Sequence, residues 1–106
     1  GDTMTPERAV MQLARDADRT GRRIAKCIGS VPLHQREFDA FVSLAYNIGT
    51  GAFCGSTLVR KLKQSPPDYA GACKEILRWN KAGGKVLTGL TRRRRAEYNL
   101  CIGDSQ

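Results

Sequence analysis

A pair of carboxyl groups that cleaves a glycosidic bond stands roughly 5 to 9.5 Å apart, with one pKa raised so that it can donate a proton. Glu7 and Asp16 are the two acids whose spacing invites that role. Both fall on one predicted helix, where their separation makes about two and a half turns and about 13 Å along the axis. They face opposite sides and cannot flank one bond. Glu37 and Asp39 stand two apart on a second predicted helix and diverge as well. His34 is the only histidine. It sits at a helix start, where an imidazole caps or faces water, and a general base needs a partner within hydrogen-bond reach. Ser43 and Ser56 occupy helix and N-cap contexts rather than the side of a base. The four cysteines, Cys27, Cys54, Cys73 and Cys101, include no Cys-x-x-Cys pair. Zinc and redox chemistry are therefore not expected, and no cofactor or metal is implied. Two disulfides fit these cysteines better and would imply an oxidising compartment. The alternative is four free thiols packed as small apolar groups. Four cysteines allow three connectivities, and spacing alone does not choose.

Charge narrows the partners without naming one. Eighteen Lys and Arg against ten Asp and Glu give a net charge of +8. Nucleic acid, acidic lipid and the anionic bacterial wall would each explain it, and so would solubility alone. The run Arg92-Arg93-Arg94-Arg95 spreads through about 300° on a helix, so it forms no single stripe. At least one of the four is expected to lie against the domain and pair with an acid. Gly83, Gly84 and Gly89 follow no strand pattern, which argues against a phosphate cradle.

The elements that carry these residues read as all-α, in a single domain over residues 1–106. Thr5-Pro6-Glu7 is a helix start, with a hydroxyl cap, proline at the first helical position and acid in the first turn. Val10, Leu13, Ala17, Ile24 and Cys27 then give one thin apolar stripe. After the breaker Gly29-Ser30-Val31-Pro32, the spacing of Phe38, Phe41, Val42, Ala45 and Ile48 predicts a central helix over 34–48, ended by Gly49. Ser56 caps a short basic helix over 57–64 with Leu58 and Leu62 inward. Ser65-Pro66-Pro67-Asp68 breaks and restarts the chain, and a further helix runs to Trp79. Ala82-Gly83-Gly84 opens a loop, and the strand-like piece Val86-Leu87-Thr88 is too short to count. The last helix covers 91–102, with Ala96, Leu100 and Cys101 as inward candidates. No apolar run approaches the ~18 residues of a membrane span. The first residues lack the basic and apolar regions of a signal peptide.

Three ordered stretches resemble one family. Residues 30–63, SVPLHQREFDAFVSLAYNIGTGAFCGSTLVRKLK, are similar to the central-helix segment of the C-terminal lobe of phage-type lysozymes. The stretch from Ala72 through Trp79, followed by AGGK and GLTRRRRAEYNLC, resembles the end of that lobe, and GDTMTPERA resembles the entry into the helix joining the two lobes. The resemblance implies a lysozyme-like helical lobe: one long helix leading into short helices around the apolar one. It also implies endolysin chemistry, in which a muramidase hydrolyses the β-1,4 bond between N-acetylmuramic acid and N-acetylglucosamine. Peptidoglycan glycan strands would be the partner, nucleic acid is disfavoured, and the expected setting is a phage- or prophage-encoded protein acting at the bacterial periplasm or envelope.

The family's catalytic Glu, followed by Asp or Cys and then Thr, lies in a small N-terminal lobe that precedes these residues. That lobe is read as missing here, and Arg22 stands where the local imitation by Glu7 and Asp16 would need Thr. No catalytic residue carries over, and the chain is expected to be inactive alone. What the resemblance does carry over is the cleft floor. Tyr46 and Asn47 match its aromatic-polar pair, and Leu58 matches a further cleft-side position. The disulfides Cys27–Cys54 and Cys73–Cys101 are the pairing that disulfide-containing endolysins imply. The second would join two consecutive helices on their apolar faces.

Overall fold

The computed structural model describes residues 18–103. The helix start at Thr5-Pro6-Glu7, the stripe residues Val10, Leu13 and Ala17, and the Glu7–Asp16 pair all lie outside the described residues. In order, the chain forms α1 (Asp18–Ile28), α2 (Gln35–Ile48), α3 (Thr50–Cys54), α4 (Thr57–Leu62) and α5 (Tyr69–Glu75). A 3-10 turn over Ile76–Arg78, a hairpin of β1 (Lys81–Ala82) and β2 (Lys85–Val86), and α6 (Thr88–Ile102) complete it. The described residues are helical apart from that small antiparallel sheet, as the apolar spacing requires.

Helix α2 is the centre. Phe38, Phe41, Leu44 and Ala45 are buried on its inner side, at the three- and four-residue spacing that makes one helical face. Its start is fixed by Glu37, whose carboxylate accepts the His34 backbone N–H at 2.7 Å, satisfying a donor that a helix end leaves free. Helices α1, α3 and α6 all pack against α2. Ile24 and Ile28 of α1 are buried while Arg23 and Lys26 face water, so α1 lies on the core by one edge only. Phe53 of α3 meets Phe41 with ring centroids 6.0 Å apart, within the range of favourable tilted aromatic pairs.

Two further starts use the same capping chemistry. The Ser56 hydroxyl accepts from the Val59 N–H at the head of α4, and the Asp68 carboxylate accepts from the Gly71 N–H at 2.9 Å at the head of α5. Of the piece Val86-Leu87-Thr88 read as too short to count, Val86 belongs to β2 and Thr88 opens α6. Lys81 pairs with Val86 and Ala82 with Lys85. Gly83 and Gly84 between them have φ of 60° and 81°, the left-handed backbone that a two-residue hairpin turn needs at both positions.

Helix α6 departs from expectation. Its buried residues are Arg94, Glu97 and Cys101, whereas Ala96 and Leu100 are exposed. The helix is rolled so that an ion pair, not its aliphatic side chains, faces α2.

Disulfides Cys27–Cys54 and Cys73–Cys101 hold the ends of this arrangement, spanning 27 and 28 residues. The first ties α1 to α3 and the second ties α5 to α6. Removing either by a paired Cys→Ala change should lower stability by roughly 3 to 4 kcal/mol in the chain-entropy view, measured by denaturant unfolding. Cys73 and Cys101 are buried while Cys27 and Cys54 are half-exposed. Because exchange requires access of the attacking thiolate, a mild dithiol should open Cys27–Cys54 first. Alkylation and peptide mapping over time would show the order.

Candidate functional site

The end of α2 puts an aromatic ring in water. Tyr46 is 68% exposed and does not pack in the core. Asn47 beside it is exposed too, and its side-chain Nδ2 donates to the Ser43 carbonyl at 3.3 Å. An aromatic face and an amide thus stand together on the outer surface of the central helix. Leu58 does not join them. It is 0% exposed and lies on the inward face of α4, within the core.

One turn before Tyr46 and Asn47 on α2, Ser43 enters a polar network with α6. Arg94 is 1% exposed. Its Nη2 donates to Glu97 Oε2 at 3.0 Å, and its Nε stands 2.8 Å from Glu97 Oε1. Nη1 reaches back to the Trp79 carbonyl at 3.5 Å. The Ser43 hydroxyl donates to Glu97 Oε2 from across the interface. Arg93 approaches the same oxygen at 3.8 Å from a half-exposed position. One arginine of the run therefore lies inside with an acid, as its angular spread on a helix demands.

These contacts fix how α2 and α6 lie. Ser43 meets Glu97, and a Cβ added at Gly103 would come 2.9 Å from Arg36 Nε. Moving forward along α2 is moving backward along α6, so the helices run antiparallel. From Ser43, Tyr46 and Asn47 consequently lie on the side toward the start of α6. The hairpin springs from that same end. Its base is held where the Leu87 N–H donates to the Asn80 carbonyl at 3.0 Å and Asn80 Nδ2 donates to Thr91 Oγ1 at 3.3 Å.

At the other end of α2, a surface pocket of about 220 Å³ is lined by Pro32, Leu33, His34, Glu37 and Tyr69. Glu37 is occupied there with the helix cap, and the Tyr69 hydroxyl donates to the Pro32 carbonyl at 2.8 Å. Asp39 is the acid whose pKa is raised. Partial burial lifts it, and the hydrogen bond from Gln35 Nε2, at 2.7 Å, offsets part of the lift. Among the described residues no three His, Cys, Asp or Glu side chains gather as metal ligands. The available chemistry is stacking and hydrogen bonding, with cations nearby.

Comparison with known proteins decides the family. Residues 1–97 match the sequence model of the phage lysozyme family. The chain belongs to that family. It is 43% identical over 104 residues to an endolysin of Acyrthosiphon pisum secondary endosymbiont phage 1, covering 94% of this chain and 69% of that protein. It is 38% identical over 106 residues to the SAR-endolysin of Enterobacteria phage P21, covering 100% and 62%. An endolysin of Bacillus phage B103 is 46% identical over 77 residues, 72% of this chain and 28% of that protein. The solved endolysin from Escherichia coli O157:H7 phage FAHEc1 superposes with a TM-score of 0.72 at 33% identity, covering 92% of this chain and 63% of that one. The chain thus spans between 28% and 69% of the length of these family members.

The expectation that one arginine of the run pairs with an acid is met, but the sequence reading does not name Glu97 as that acid, although Arg93 and Arg94 precede it by four and three residues, a spacing that lets helical side chains meet. Glu97→Ala should leave Arg94 buried without a counter-charge and cost about 3 to 5 kcal/mol. Arg93→Ala, at the exposed rim, should cost under about 1 kcal/mol. Denaturant melts of both variants check the contrast. Asp39 gives a pH test of opposite sign to the usual carboxylate. Its folded pKa lies above the ordinary 3.8, so its favourable contribution is full below that value and is lost as pH rises through the folded pKa. Asp39→Asn, which keeps an acceptor for Gln35, should be the more stable protein at neutral pH. The advantage should vanish in acid.

Proposed function

We propose that these residues form the substrate-binding helical lobe of a peptidoglycan-degrading endo-muramidase, acting at the bacterial envelope on behalf of a phage. The observation that carries this reading is the exposed Tyr46 ring beside the Asn47 amide. A pyranose ring has an apolar face that an aromatic side chain covers and hydroxyl and acetamido groups that an amide pairs. Tyr46 and Asn47 are the floor of the glycan site. Two disulfides suit an oxidising compartment, and a net charge of +8 suits an anionic wall.

Hydrolysis itself needs a protonated carboxyl against the leaving oxygen and a second carboxylate or water across the ring. The proposed floor supplies neither: Glu97 is engaged by Arg94 and Ser43, and Asp39 is bonded to Gln35. The general acid belongs to the N-terminal catalytic lobe of the whole enzyme, and residues 1–106 alone are inactive in this reading. A non-catalytic module for cell wall would use the same floor, and the two differ only in that acid.

A turbidity assay with chain of verified mass tests the first half. The expected result is no clearing of a peptidoglycan suspension, and lysozyme-level clearing would sink the reading. For the second half, Tyr46→Ala should weaken retention on an N-acetylglucosamine oligomer at least about fivefold, as truncation of a binding anchor does. Tyr69→Ala, remote from the floor, should leave retention nearly unchanged while lowering stability. Equal losses would remove Tyr46 from the site.

A further inference from the structure

Residues 81–89 are exposed without exception, although the hairpin's base is tied down through Asn80, Leu87 and Thr91. The arm is built but buries nothing, so the fold does not account for it. From Lys81 to Ala96 the sequence holds six cations and no acid. Arg93 and Arg94 are engaged by Glu97. Lys81, Lys85, Arg92 and Arg95 are exposed, and no ion pair joins them to an acid among the described residues. Val86, 58% exposed, is the cross-strand partner of Lys81. Directly paired residues share one face of a hairpin, so this arm presents an apolar group and an ammonium side by side.

We infer that the 81–86 hairpin is a rim of the glycan site that reads charge: Lys81, beside Val86 on one face, takes carboxylates borne by the peptides of peptidoglycan, Val86 rests on the adjoining strand, and Lys85, paired with Ala82 on the other face, adds to the arm's charge. The inference builds on the floor at Tyr46 and Asn47. From Ser43, that pair lies on the side toward the end of α6 from which the hairpin rises. A bare polyphosphate such as nucleic acid would call for cations alone, whereas an amphipathic glycopeptide matches an apolar residue paired with a lysine. The hairpin therefore sets selectivity between a carboxylated strand and an uncharged one, and is not needed to hold sugar as such.

The test compares retention of the full 106-residue chain on two immobilised ligands: peptidoglycan with its peptides intact, and an uncharged N-acetylglucosamine oligomer. The variant is Lys81→Gln/Lys85→Gln, at positions outside the core, so its thermal midpoint should match the parent's. It should bind peptidoglycan about tenfold more weakly at low salt, in line with the loss of two exposed charge contacts. Its salt dependence should flatten, and its hold on the oligomer should not change. Parental retention on peptidoglycan would overturn the inference, as would an equal loss on both ligands. A parent chain that prefers duplex DNA to peptidoglycan at the same salt, through these two lysines, would overturn it too. Failure of the floor reads differently: Tyr46→Ala would then leave both ligands unaffected while the lysine variant still separated them.

Discussion

Taking the Arg94 guanidinium and the Glu97 carboxylate out of water carries a desolvation penalty of several kcal/mol for each charge. The penalty is offset by hydrogen bonds from Arg94 Nη2 and the Ser43 hydroxyl to Glu97 Oε2 and from Arg94 Nη1 to the Trp79 carbonyl, with Nε close to Oε1 as a charge contact only. An aliphatic helix face slides and rolls at small expense. A paired charge with three directed hydrogen bonds does not. The roll of α6 against α2 is therefore set by this pair, and with it the direction of every other residue on α6. Arg92 and Arg95 are turned to water, and Cys101 is turned to Cys73. The hairpin is anchored through Trp79 and Asn80, next to the first turn of α6.

The rest of the described structure is conventional hydrophobic packing on a small scale. Ile24 and Ile28, Phe41 and Leu44, Phe53, Leu58 and Leu62 bring side chains from four helices around one centre. A chain of this size buries a smaller share of its surface than a large domain does, and covalent ties make up part of the difference. The bridges are placed to complement α2. One holds the half-buried α1 to α3, and the other holds α5 to α6, so three of the helices that pack on α2 are tied covalently while α2 itself carries no disulfide.

Helix α2 was legible because its signal is apolar periodicity, the strongest that a sequence carries. The caps at Ser56 and Asp68 were legible for an equally local reason. Helix α6 was not. An inner face made of Arg94, Glu97 and Cys101 shows no hydrophobic period, and so Ala96 and Leu100 were assigned inward because they are the aliphatic residues present. The hairpin was dismissed for its two-residue strands, yet Gly83-Gly84 between Ala82 and Lys85 is a recognised turn signal. At the candidate site, resemblance supplied Tyr46, Asn47 and Leu58, and packing sorted them. Tyr46 and Asn47 lie on the outer face of α2, whereas Leu58 falls on an inner face that the spacing of Leu58 and Leu62 had already marked. Which cysteines pair was open to spacing alone and was narrowed by the family likeness.

The exposed Gly83-Gly84 tip lies between Cys73 and Cys101 in the chain, inside the ring that the second disulfide closes. A peptide bond broken at that tip would not divide the molecule. The piece containing α1 to α5 and the piece containing α6 would stay joined through sulfur, with Arg94 still seated on Glu97. Only reduction would let them part. In topological terms, this exposed arm hangs on a closed loop rather than on an open string.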